Sequence, residues 1–151
     1  LYDTLTVGEH LEFVRRAYKV KGNERMDEYL TRFELNDHIK KLGKNLSKGM
    51  QQKVSIACAM MHDPDVIIFD EPMVGLDPHA IKELKALFSE LKAQGKTVII
   101  STHMIDTIED YWDVAHIMMK GKIVATKHNR STDANDKPLD QLFFEITEGK
   151  A

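Results

Sequence analysis

The 151-residue chain has one cysteine, Cys58, no long apolar run and no excess of basic charge. A lone cysteine excludes an internal disulfide, and its apolar helical setting reads as packing in a reducing compartment. The longest apolar stretch, residues 54–61, is interrupted by Ser55 and falls short of the ~20 residues a membrane-spanning helix needs. The amino terminus shows no signal-peptide pattern, so a role at a membrane requires a partner. A net charge of −3 and a pI near 6.2 give no basic field that would draw nucleic acid. Also missing is Gly-x-x-x-x-Gly-Lys-Ser/Thr, the loop whose amides and lysine cradle phosphates. Gly95-Lys96-Thr97 imitates its end, but Glu90 stands where its first glycine would be, and the tripeptide leads from helix into strand.

What is present suffices for one core, since 42% of the residues are apolar. Thr6-Val7-Gly8-Glu9 has the form of a capping box, and Leu11, Phe13, Val14 and Ala17 mark the helix after it. Met26, Leu30 and Phe33 predict a second helix from Asn23 to Phe33. The basic run Lys40–Asn45 leads to Ser47, an N-cap for a helix reaching Met61, and Asp63-Pro64 stops it. Val66-Ile67-Ile68-Phe69 is a continuous apolar run, which predicts a strand buried on both faces. Asp77-Pro78 then opens a helix whose apolar face is Ile81, Leu84, Leu87, Phe88 and Leu91, closed by Gly95 before a second buried strand, Thr97–Ile100. Strand, helix and strand with short links make a right-handed parallel crossover, hence an α/β fold. Further on, a short helix at 104–111 and a hairpin of strands 114–119 and 123–126 through Gly121-Lys122 are expected. The polar stretch 128–137 is expected to be mobile, and Leu139, Leu142, Phe143 and Ile146 to form an amphipathic helix docked on the body.

Two places carry chemistry. A buried strand ending in Asp70-Glu71-Pro72 delivers two acids to the carboxyl edge of the sheet, where open α/β sheets bind ligands. A strand end followed by a solvated acidic turn is the alternative. Leu46-Ser47-Lys48-Gly49-Met50-Gln51-Gln52-Lys53 starts a helix, where unpaired N–H groups and the positive dipole end suit an anion. Ser47 as an ordinary N-cap is the alternative there. Asp77 likewise suits a plain cap, and His103 a structural role.

Taken in order, the helix start at Ser47, Asp63-Pro64, the strand ending in Asp70-Glu71, Gly75-Leu76-Asp77-Pro78 and Ser101-Thr102-His103 resemble the nucleotide-binding domains of ABC ATPases. The resemblance covers essentially the whole chain. It implies an α/β fold, a partial P-loop NTPase (RecA-like) parallel sheet with a helical subdomain at 1–50 and the carboxyl-terminal half of the ATPase core at 51–151. It implies ATP and Mg²⁺ as cofactors, with Asp70 supporting the metal, Glu71 as general base for the attacking water and His103 at the γ-phosphate. The signature residues Ser47, Lys48, Gly49 and Met50 would face the nucleotide of an opposite subunit, and Asp77 of the D-loop would link the two sites. The commonest family signature is Leu-Ser-Gly-Gly-Gln; here Lys48 and Met50 replace the first glycine and the glutamine. Ser-Lys-Gly-Met is similar to signatures of ABC-2-type exporters, including the Ecs type of Gram-positive bacteria.

The implied partners are a second nucleotide-binding domain, head to tail, and a transmembrane permease, which would place the chain in the cytoplasm at the inner face of the membrane. Leu1–Val7 resembles the family segment just after the Q-loop, so Walker A and the Q-loop are expected in a longer parent. Such a piece alone is expected neither to bind Mg-ATP tightly nor to hydrolyse it, and to self-associate through strand edges and faces left without neighbours. A soluble non-transport ABC ATPase and a non-hydrolysing interaction module are the competing readings.

Overall fold

The computed structural model describes residues 1–108, 111–129 and 137–149. The chain divides into two compact units, Leu1–Ser101 and Thr102–Ala151.

In the first unit, helix α1 (Val7–Ala17) opens on the expected capping box: Thr6 Oγ1 accepts the Glu9 N–H, and the Glu9 carboxylate accepts the Thr6 N–H. Helix α2 (Glu24–Arg32) and helix α3 (Lys48–Met60) follow, the latter capped by Ser47, whose Oγ accepts the Met50 N–H at 3.2 Å. Both α1 and α2 pack on α3. Val7, Leu11, Leu30, Phe33, Val54, Ala57 and Met60 are buried there. The three helices therefore share one core.

Strand β1 (Val66–Asp70) and strand β2 (Thr97–Ser101) pair in parallel, with Ile68 opposite Ile99 and Asp70 opposite Ser101. Helix α4 (Pro78–Ala93) makes the crossover between them. As expected, Asp77 caps it through the Ala80 N–H, Pro78 takes its first position, and Gly95 follows its end at φ +74°. Phe69 meets Phe88 of α4 with ring centroids 5.2 Å apart. Arg32, on α2, ties that helix to Glu83 and Glu90 of α4.

Burial of β1 on both faces is not what the structure shows, nor is β2 a buried strand, since none of its residues is buried. Ile67 and Phe69 are 4% and 5% exposed, whereas Val66 and Ile68 are 58% and 71% exposed. Strand side chains alternate between faces, and α4 lies against only one of them. Ile68 and its neighbour Ile99, 50% exposed, leave an apolar face open among the described residues.

Among the described residues of the second unit a 3₁₀ turn, Ile105–Thr107, stands where a helix is expected at 104–111, and residues 109–110 lie outside the described ones. Strands β3 (Val114–Met119) and β4 (Lys122–His128) form the expected hairpin. Its loop is Lys120-Gly121 rather than Gly121-Lys122, because Met119 pairs with Lys122. Both loop residues have positive φ, 49° and 75°, as a tight two-residue hairpin with the sheet's own twist requires. Strand β4 is longer than the expected 123–126, and Val124 forms a bulge between the Ile117–Ala125 and Met118–Ile123 pairs. Of the stretch expected to be mobile, His128 ends β4 and the Asn129 N–H donates to the Asp113 carbonyl, while residues 130–136 lie outside the described ones. Helix α5 (Leu139–Thr147) forms as expected and lies against the 105–107 turn of its own unit. No described helix is long and apolar enough to cross a membrane.

Candidate functional site

The acids at the end of β1 stand where the sequence puts them, at the carboxyl edge of the parallel pair. Asp70 is exposed and accepts a short hydrogen bond from the Ser101 hydroxyl at the end of β2. The next residue, Glu71, leaves the strand abruptly: its N–H still reaches the Ser101 carbonyl at 2.9 Å, but its φ is +45°. A left-handed conformation is costly for a side chain with a Cβ, and such strain concentrates at functional positions. The loop behind it is a pair of turns, closed by Val74 N–H to Glu71 O and Leu76 N–H to Met73 O, both at 3.2 Å. Pro72 and Met73 are buried, so the segment is anchored rather than free.

The start of α3 lies directly against this segment. A Cβ on Gly49 would fall 2.2 Å from the Gly75 carbonyl oxygen, so only glycine permits the approach. Gln52 Nε2 donates to the Pro72 carbonyl at 3.4 Å. Lys53, 8% exposed, places its Nζ 2.7 Å from Asp77 Oδ2. The Lys53 ammonium, helped by the Ala80 N–H, holds the Asp77 carboxyl at about 2 against an ordinary 3.8. The first turn of α3 carries no acid, which leaves the positive end of its dipole uncompensated from within. Ser47 and Lys48 at that end are exposed, and Gly49 and Met50 are half-buried. Met50 is touched by Lys41, Nζ to Sδ 3.7 Å.

The structure thus brings Gly49 together with the Gly75–Asp77 stretch, and Asp70 together with Ser101. His103 belongs to the other compact unit, is exposed, and sits beside a local turn in which the Met104 N–H donates to Thr102 Oγ1. Lys53 was not singled out by the sequence. Its signal was nonetheless there: Lys53, Ala57 and Met60 share one face of α3, and a lysine on an apolar stripe needs a buried partner. No group of three or more metal-ligating side chains occurs among the described residues.

The sequence profile of the family described as "ABC transporter" matches residues 1–74. EcsA, an ABC-type transporter ATP-binding protein of Bacillus subtilis (strain 168), is 37% identical over 158 residues, covering 100% of this chain and 64% of EcsA. A solved ATP binding subunit of an ABC transporter superposes with a TM-score of 0.85 at 36% identity, over 97% of this chain and 64% of that one. The chain belongs to the ABC transporter family of ATP-binding proteins. A second relative, the ABC transporter ATP-binding protein NatA of the same organism, is 34% identical over 127 residues, 82% of this chain and 52% of NatA. The chain therefore spans roughly half to two thirds of the length of these ABC relatives. A dimeric ATP-binding cassette in a post-hydrolysis state with ADP and Pi matches at a TM-score of 0.70 and 28% identity, over 87% of this chain and 60% of that one. Its α/β fold with a parallel sheet is that of the ABC ATPases.

Proposed function

We propose that this chain belongs to an ATP-hydrolysing subunit that powers transport, in the export direction, through a separate permease at the inner face of a membrane. The observation that carries the reading is Glu71, held at positive φ beyond Asp70 at the carboxyl edge of β1. There its carboxylate is the general base that takes the proton of the attacking water. Asp70 fits Mg²⁺, which takes one or two carboxylates beside nucleotide phosphates and keeps several waters: one Asp70 oxygen is occupied by Ser101 and the carboxylate is exposed. When bound, that ion neutralises phosphate charge. His103 stabilises the γ-phosphate in the transition state.

Ser47, Lys48, Gly49 and Met50 at the open start of α3 serve the nucleotide held by a second cassette, arranged head to tail. Asp77 connects the two sites. The helical part, residues 1–50, passes closure to the permease, and the similarity of Ser-Lys-Gly-Met to exporter signatures supports the direction. The phosphate-gripping loop has no counterpart in these residues, so the 151-residue chain alone neither holds Mg-ATP tightly nor hydrolyses it.

Nucleotide-driven pairing tests the reading. In the full-length protein, Glu71→Gln should shift from monomer to dimer on adding Mg-ATP, seen by light scattering. Adding Ser47→Arg should abolish the dimer while each monomer still binds ATP, because Ser47 acts on the opposite site. Undiminished dimerisation in the double variant would overturn the assignment.

A further inference from the structure

We propose that Lys53 is a positioning residue for hydrolysis, locking the start of α3 to the 71–77 segment so that signature and general base move as one body. The proposal rests on the functional reading above for its consequence, but on contacts within the first compact unit for its geometry. Those contacts come from three places in the first turns of α3 and land along the whole segment. Gly49 packs on Gly75, Gln52 donates to Pro72 and Lys53 pairs with Asp77.

Their strengths differ. The glycine contact is steric and the amide bond is long at 3.4 Å, whereas the ion pair is short and its lysine is buried. A charge-assisted hydrogen bond of this kind is about twice as strong as a neutral one. Among the described residues Asp77 is the carboxylate paired with Lys53. Asp77 Oδ1 meanwhile accepts the Ala80 N–H at the start of α4, and the one carboxylate therefore joins α3 to α4. At the other end of the segment, Glu71 is fixed by its N–H to the Ser101 carbonyl. A displacement of the exposed signature end reaches the 71–77 segment through these three contacts. Lys53 touches no reacting atom; it acts through Asp77.

A lysine that merely fills the core would give a different result when replaced by an apolar side chain of similar length, since well-packed apolar substitutes for buried ion pairs are often neutral. In the full-length protein, Lys53→Met should raise amide hydrogen exchange in 47–53 and 71–77 together. It should also lower kcat by about tenfold to a hundredfold, the scale of a small misplacement of a reacting group, with KM for ATP little changed. Lys53→Arg should restore both. If Lys53→Met fails to fold, Lys53→Gln, which keeps a polar head toward Asp77 and removes the charge, provides the same readouts. Exchange rising in one segment alone, or an unchanged kcat, would overturn the proposal. An unsubstituted protein without ATPase activity would instead sink the functional reading, and the exchange pattern would still decide whether the clamp exists.

Discussion

Gly49→Ala sets two effects of opposite sign against each other. In an exposed helix interior, alanine for glycine stabilises by about 1 kcal/mol. Here the new Cβ would stand 2.2 Å from the Gly75 carbonyl oxygen, and the atom in the way is backbone, which cannot swing aside like the tip of a side chain. An ordinary contact needs a separation more than an ångström greater, so α3 or the 71–77 segment has to move. Overpacking of this kind costs about 1–3 kcal/mol, and a backbone neighbour puts the site at the upper end. The propensity gain offsets part of it, leaving a net loss of about 1–2 kcal/mol. For a chain of this size that lowers Tm by roughly 2–8 °C in a thermal melt followed by circular dichroism. A variant as stable as the original, or more so, would refute the close approach of Gly49 and Gly75.

Removing either member of the Lys53–Asp77 pair should not cost the same. Asp77→Asn strands a buried ammonium and should destabilise by about 1–3 kcal/mol in urea titrations, less than a fully buried pair because Asp77 is half-exposed, whereas Lys53→Met should cost less. Equal losses would contradict this. Because folding depresses the Asp77 carboxyl from 3.8 to about 2, its contribution is complete above the ordinary value and is lost as pH falls from there toward about 2. Asp77→Asn should therefore flatten that acid limb of the stability profile, and an unaltered limb would assign it to other carboxylates. The open face of Val66, Ile68 and Ile99 should drive self-association of the 151-residue chain, and Ile68→Lys should weaken it in light scattering. A clean monomer at high concentration before the substitution would remove that expectation.

Local chemistry was the part of the fold most legible in the sequence. The caps at Thr6, Ser47 and Asp77 each depend on a side chain and an N–H within three residues, and all three form as expected. Burial of β1 was misread because an apolar run reveals that both faces are apolar, not that both are covered. The hairpin loop slipped by one residue because Lys120 adopts a positive φ that its side chain does not advertise. Of the candidate site, the residue types at Asp70, Glu71 and Ser47 were readable from their place at a strand end and a helix start. The long-range tie from Lys53 to Asp77 was not, since nothing local to residue 53 identifies a partner in the loop before α4.

Turnover of ATP by the full-length protein carrying Glu71→Gln bears most directly on the assignment of Glu71 as general base. Loss of that base should slow phosphate release by about 10²- to 10⁴-fold while ATP binding, followed by calorimetry, persists. Phosphate release at the original rate would contradict the assignment and place the base elsewhere.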